Sequence, residues 1–259
     1  SPKEFKPSSL LYFIEAAKNS FQTPVDAASQ SRGFWQEYAS KVYRVYQQKL
    51  EEYQALDFDD LLFKTVSLFQ QYPKVLEKYQ DIYRFILVDE YQDTNQIQYM
   101  LTKLLAQKYR QLTAVGDASQ AIYGWRGADF KNLMNLTLDF KDTKIINLEQ
   151  NYRSTQIILD AANSVISKNT SHPVLKLFTQ KQSQDKIKLY EANSEVAEAE
   201  FVAQKIKFIQ ANHRIPLKNI AVLYRMNAQS RVIEEAFLKY GLPYVLIGDP
   251  VKSYPEYYE

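Results

Sequence analysis

The chain has 259 residues, enough for one large domain or two ordinary ones, and its 46% hydrophobic and 24% charged content excludes wholesale disorder and low-complexity organisation. It has no cysteine and only two histidines, His172 and His213, which excludes disulfide frameworks and cysteine nucleophiles and leaves almost no room for histidine metal sites or a Ser-His-Asp triad. The net charge of +2 provides no global basic field, so any nucleic-acid binding must be built locally. The 20 tyrosines suit packing and base stacking alike.

The first eighty residues read as helices. Leu10, Leu11, Ile14 and Ala17 recur at helical spacing after Ser8 or Ser9, either of which can cap. Pro24 opens a second helix expected to run through Phe34, Trp35, Tyr38, Val42, Tyr46 and Leu50. A third covers 58–72, with Asp57, Asp59 and Asp60 at its positive end, and Pro73 starts a short fourth. The pattern then changes. Residues 85–89, FILVD, form a short apolar run ending in an acid, the signature of a buried parallel strand. Residues 111–117, QLTAVGD, repeat that shape after a helical stretch over 96–106. Further strands are expected at 143–148, 185–192, 218–225 and 243–248, with helices at 155–166, 195–209 and 230–239. This alternation predicts an α/β architecture with parallel sheets. The polar stretch 168–186 is a weak patch, but motif content changes at 151–154, where a domain boundary is expected. No apolar run approaches the ~20 residues that cross a bilayer, and the polar opening SPKEFKPSS is no signal peptide, so a cytoplasmic protein without a membrane partner is expected.

Three segments carry chemistry. In residues 87–95, LVDEYQDTN, the adjacent carboxylates Asp89 and Glu90 leave the carboxyl end of a strand, where ligands collect in open α/β sheets. One acid of such a pair can hold Mg²⁺ while its neighbour orients and deprotonates a water, although a lone Asp-Glu is more often a solvated strand end. Residues 115–128, VGDASQAIYGWRGA, hold half of the chain's glycines and place Tyr123, Trp125 and Arg126 together. A ring for a base and a cation for a phosphate suit single-stranded nucleic acid; the plainer alternative puts Trp125 in a core and Arg126 against an acid. Residues 148–155, LEQNYRST, set Arg153 beside a helix start that Ser154 or Thr155 would cap, a corner that suits phosphate.

Together, DEYQDTN, VGD…Q…IYGWRGA and LEQNYRST resemble, in order and spacing, motifs II, III and IV of the superfamily 1A DNA helicases, the UvrD/PcrA/Rep family. The segment LDFDDL at 56–61 is similar to the family's re-entry into its first motor domain, and VLYRMNAQSR at 222–231 resembles part of the second. The helical start looks like the accessory 1B region. The resemblance implies RecA-like parallel-sheet motor domains, incomplete here, with a helical N-terminal accessory region. The expected divisions are 1–55 for the 1B-like part, 56–150 for a partial 1A domain and 151–259 for the start of 2A. It implies ATP-driven 3′-to-5′ movement on single-stranded DNA and at single/double-strand junctions, with ATP and Mg²⁺ as cofactors. Position by position, Asp89 would hold the metal, Glu90 would be the general base and Gln120 would sense the γ-phosphate. Tyr123, Trp125 and Arg126 would form the DNA track, Tyr152 would lie against adenine, and Arg153 would reach the γ-phosphate.

The departures are as informative. No G-x-x-x-x-G-K-[ST] loop and no Gly-Lys dipeptide occur, so the phosphate cradle and its lysine are missing. The chain therefore reads as the middle of a helicase, inactive alone and without motifs V and VI. A non-catalytic single-stranded DNA-binding module is the alternative, and a metal-dependent nuclease using Asp57, Asp59, Asp89 and Glu90 a third reading. Ser119 stands where the family usually has an acid, Ala121 where it often has Ser, and Gly248-Asp249-Pro250 where Gly-Gly is expected.

Overall fold

The computed structural model of the protein describes residues 5–247, so Gly248-Asp249-Pro250 and the end of the 243–248 segment lie outside the described residues. The chain divides into two compact units, residues 1–184 and 185–259.

Helix α1, Pro7–Asn19, starts one residue before the expected caps. Pro7 occupies its first turn, where a missing N–H costs nothing, and Lys6 is the N-cap, so Ser8 and Ser9 sit inside the helix. The single helix expected from Pro24 is two helices. The first, α2 (Pro24–Ser29), opens on a reciprocal cap in which the Asp26 amide donates to Thr23 Oγ1 and the Thr23 amide to Asp26 Oδ2. Gly33 then takes φ +98°, a conformation that other residues rarely adopt, and α3 (Phe34–Glu52) begins afresh. Ile14, Ala17, Ala27 and Tyr43 form the shared core of these three helices. Helix α4, Phe58–Gln71, is capped by Asp57, whose Oδ1 accepts the Asp60 amide at 2.8 Å. Helix α5, Pro73–Ile82, follows directly.

Strands β1 (Phe85–Val88) and β2 (Gln111–Ala114) pair in parallel, with Phe85 opposite Gln111 and Val88 opposite Ala114. Helix α6 (Gln96–Ala106) makes the crossover. The strand period of two places Ile86, Val88, Leu112 and Ala114 on one face, packed against buried Tyr91, Tyr99, Ala106, Leu136 and Phe140. Phe85 and Leu87, on the other face, are 73% and 77% exposed. Leu136 comes from α7 (Lys131–Asp139), a helix the sequence pattern did not announce. Its asparagines and threonine are weak helix formers, and packing of Leu133 and Leu136 decides the conformation. Helix α8 is Gln156–Ile166; Thr155 holds its N-cap position in extended backbone without a side-chain bond.

In the second unit, α9 (Glu195–His213) is capped by Ser194 and runs four residues past its expected end, to the left-handed Arg214. It packs on α10 (Ala228–Tyr240), which stops at Gly241 with φ +63°. Ala199, Ala203, Ile206, Ala236, Phe237 and Leu242 form the core, with Ile220, Val222 and Tyr244 against it.

The parallel pair is present, but the four further strands are corrected: among the described residues no ladder forms at 143–148, 185–192, 218–225 or 243–247. Alternation survives in part, since Ile220 and Val222 pack inward while Leu223 is 94% exposed. Strand pattern becomes a strand only where a neighbouring backbone supplies hydrogen bonds, and among the described residues no ladder to these segments is made. Compactness and motif content also divide the chain at different places. The compact units part between Gln184 and Asp185, inside the polar 168–186 stretch, whereas the motifs change at 151–154. Residues 151–178 are tied back by the Phe178 amide donating to the Glu149 carbonyl at 3.0 Å and by His172 packing edge-on to Phe130. No helix among the described residues is long and apolar enough to cross a membrane.

Candidate functional site

Parallel pairing brings the carboxyl ends of β1 and β2 side by side, so the two segments that leave them meet. The Val115 amide donates to the Val88 carbonyl at 2.8 Å, and the Tyr91 amide to the Val115 carbonyl at 2.9 Å. Asp89 and Glu90 lie just beyond β1, both exposed. Glu90 takes left-handed backbone (φ 51°, ψ 42°), and its amide donates to Asp89 Oδ1 at 2.9 Å. A left-handed residue other than Gly is uncommon, and here it turns the chain sharply so that both carboxylates stay at the strand end.

Gln92, buried immediately behind them, joins the two segments. Its Nε2 donates to Glu90 Oε2 at 2.7 Å, while its Oε1 accepts the Asp117 amide at 3.0 Å. Asp117 in turn accepts the Ser119 amide and Gln120 Nε2, both at 2.9 Å. Glu90 and Gln120 are thus the two ends of one hydrogen-bonded chain through Gln92 and Asp117. Gly116 makes this approach possible, because a Cβ there would stand 2.8 Å from Gln92 Oε1 and 3.3 Å from the Tyr91 and Gln92 amides. The sequence pattern gave Gln92 no role; the glycine opposite it was the available signal.

A cavity of about 370 Å³ opens beside the carboxylates, lined by Asp89, Glu90, Asp93, Thr94, Gln98 and Thr102. Asp93 Oδ1 is buried there without a hydrogen-bond partner. Beneath it Tyr91 is fully buried, and burial pushes its hydroxyl up to about 12, so it stays neutral. Hard carboxylate oxygens at a strand end, one of them unsatisfied, suit a hard divalent cation such as Mg²⁺.

The aromatic turn is a separate feature of the same segment. Tyr123 and Trp125 have ring centroids 6.4 Å apart, and Trp125 is 57% exposed rather than in a core. The Arg126 guanidinium lies 4.5 Å from the indole centroid and 5.4 Å from that of Tyr123. A short 3-10 turn over Gly124–Arg126 closes at Gly127 with φ +80° and holds the three side chains together. Tyr152 and Arg153 stand on another exposed turn, with the Tyr152 hydroxyl donating to Gln150 Oε1 at 3.0 Å and the Arg153 amide to Asn151 Oδ1 at 2.9 Å. That turn is anchored by the bridge between Gln150 and Phe178.

The model of the UvrD/REP helicase N-terminal domain matches residues 1–141, over half of the chain. The chain belongs to the UvrD/REP helicase family. The UvrD-like helicase C-terminal domain matches residues 146–252. Among curated relatives, the ATP-dependent DNA helicase PcrA of Staphylococcus aureus (strain Mu50) is 46% identical over 246 residues, 95% of this chain and 34% of the relative. The enzyme of the same name from Bacillus subtilis (strain 168) is 47% identical over 247 residues, 95% of this chain and 33% of the relative. The chain spans about a third of the length of the curated relatives it matches.

Two further placements refine the site of this UvrD/REP family chain. Asp57 and Asp59 are engaged by Lys18 and Asn19, and among the described residues no group of three or more acidic or histidine side chains is arranged to hold a metal. Ser119 Oγ lies 3.0 Å from His172 Nε2, but His172 Nδ1 meets the Ser171 hydroxyl and not a carboxylate, so the pair lacks the third member of a nucleophilic triad.

Proposed function

We propose that the chain is the central part of an ATP-dependent 3′-to-5′ DNA helicase, acting on single-stranded DNA and at single/double-strand junctions. The observation that carries this reading is the bonded chain from Glu90 through Gln92 and Asp117 to Gln120, next to the exposed Tyr123–Trp125–Arg126 turn. It gives one segment a nucleotide end and a DNA end. Asp89 would hold Mg²⁺, with Asp93 on the same cavity as a further carboxylate, and the cation would supply charge to neutralise developing phosphate charge. Glu90 accepts the proton of the attacking water; its bond from Gln92 fixes one carboxylate oxygen and leaves the other for that water. Gln120, anchored on Asp117, reaches for the γ-phosphate. Tyr152 offers a ring to adenine, and Arg153 a cation to phosphate. Residues 1–55, 56–150 and 151–259 then correspond to the accessory, first-motor and second-motor portions.

Without a Gly-Lys phosphate loop in its sequence, the chain by itself is expected to show no ATP turnover above background. A turnover abolished by Glu90→Gln would overturn that expectation. DNA binding is the direct test, read by anisotropy of a labelled oligo-dT. Base–aromatic stacking is worth ~1–3 kcal/mol, so Trp125→Ala should weaken binding roughly tenfold or more. Arg126→Ala should lower the salt dependence by about one counterion's worth. Binding that both variants leave unchanged, or that is equally strong to duplex, places the DNA surface elsewhere.

A further inference from the structure

The carboxylate turn and the aromatic turn lie on different segments, and one buried side chain fastens them together. Asn132, in the first turn of α7, is 1% exposed. Its Nδ2 donates to the Thr94 carbonyl at 2.9 Å and lies 3.4 Å from Thr94 Oγ1. The Asp129 amide donates to the same carbonyl at 3.0 Å. Both lone pairs of one peptide oxygen are therefore taken by the segment that follows Gly127.

On one side, Thr94 closes the carboxylate turn: its amide donates to the Tyr91 carbonyl at 3.2 Å, its hydroxyl to the same carbonyl at 2.7 Å, and the Asp93 amide to the Glu90 carbonyl at 3.0 Å. On the other side, Asp129 is three residues past Arg126, and the intervening Gly127 and Ala128 amides bond back into the aromatic turn at Gly124 and Tyr123. Helix α1 braces the junction, since Asn95 Nδ2 donates to Asn19 Oδ1 at 2.6 Å and a Cβ on Gly127 would meet the Cβ atoms of both residues at 4.0 Å. A neutral amide suits this position. It donates to a carbonyl without bringing a charge into a buried site, whereas a carboxylate would face that carbonyl with lone pairs.

We propose that Asn132 is a positioning residue that couples the Asp89–Glu90 turn to the Tyr123–Trp125–Arg126 turn, so that displacement of one is transmitted to the other through the Thr94 carbonyl. Its meaning as a link between nucleotide and DNA rests on the function proposed above; the mechanical coupling itself does not. Hydrogen exchange by mass spectrometry on the whole chain separates the two. Asn132→Leu removes the donor while filling the space, and Asn132→Ser keeps a shorter donor should the leucine variant fail to fold. Loss of a buried hydrogen bond should speed exchange in peptides over 91–95 and 123–130 together, by roughly fivefold to tenfold. Val66→Ala, which opens the core of α4 far along the chain from both turns, should lower the melting temperature without that paired change. With oligo-dT bound, the natural chain should gain protection over 91–95 as well as 121–128, and the variants over 121–128 alone. Exchange over 91–95 that stays unchanged in the variants overturns the coupling, whatever the DNA result. Absence of any oligo-dT binding with the paired exchange change intact overturns the DNA reading and leaves the coupling standing.

Discussion

Two buried polar knots hold the first unit, one charged and one neutral, and they do different work. The charged knot joins α1, α3 and α4: Lys18 Nζ lies 2.6 Å from Asp57 Oδ2 and 2.9 Å from Asp60 Oδ1, with the Tyr46 hydroxyl on Asp57 and Gln47 on Asp60. The neutral knot, centred on Gln92 and Asn132, joins the turns that leave the sheet. Ions fasten the helices at the cost of a stability that depends on pH. Amides fasten the turns at the sheet's carboxyl edge without adding charge beside Asp89 and Glu90. The difference teaches that polar burial follows what each region must tolerate, not how much energy it needs.

The largest effect should come from unbalancing the charged knot. Lys18 and Asp60 are each 1% exposed, so Lys18→Met strands a buried carboxylate. Removing one partner of a buried pair costs about 3–5 kcal/mol, which urea unfolding of the whole chain would register as a lower midpoint. Adding Asp60→Asn to Lys18→Met should recover part of the loss. A single variant as stable as the natural chain would mean that water reaches Asp60 and that the knot is not buried in solution.

Breaking the neutral knot should cost less. Gln92→Leu leaves the Asp117 amide without its acceptor and Glu90 without its donor, about 1–3 kcal/mol by thermal or urea unfolding. Gln92→Glu keeps an acceptor for Asp117 but sets a second carboxylate against Glu90. It should therefore be the worse variant at neutral pH and approach Gln92→Leu as the pH falls below the carboxylate range. Equal behaviour of the two across pH would show that Glu90 turns away from position 92.

Much of this was legible in the sequence, and what was not has physical causes. FILVD and QLTAVGD state their strands because an apolar run ending in an acid at the sheet's carboxyl edge has few other uses. The break at Gly33 was missed because the helical period resumes in phase on its far side, and one glycine does not reveal a left-handed φ from pattern alone. The segments at 143–148 and 218–225 have strand composition, yet strand identity lies in partners that composition does not contain. At the candidate site the exposed residues Asp89, Glu90, Trp125 and Arg126 stand out by type. Gln92 and Asn132 do not, because an amide reads as a surface residue until its burial is known. His172 was set aside for lack of a metal set, and its actual contacts, two hydroxyls and a phenyl ring, leave no spacing signature.

The smallest expected effect is also the most specific to the charged knot. Burial pulls Asp57 upward, but the bonds from Lys18, the Asp60 amide and Tyr46 outweigh it, and its carboxyl is held below the ordinary 3.8. Asp59 goes the other way: burial, with the charges of Asp57 and Asp60, outweighs its bond from Asn19 and raises it above 3.8. The two must contribute to stability with opposite signs. A depressed carboxylate stabilises the fold above its unfolded value, and that contribution is lost as the pH falls through the folded one. A raised carboxylate costs stability at neutral pH, and the cost vanishes as the pH falls through its raised value. Acidification from pH 6 should therefore first relieve Asp59, flattening the melting curve of the natural chain, and then unfasten Asp57 below 3.8. Asp59→Asn should raise the melting temperature at neutral pH and remove the flat region, while Asp57→Asn should lower it and blunt the acid loss. Melting followed at 222 nm between pH 6 and pH 2.5 reads both. Parallel curves for the two variants would mean that the carboxylates titrate as one group and that Lys18 does not distinguish them.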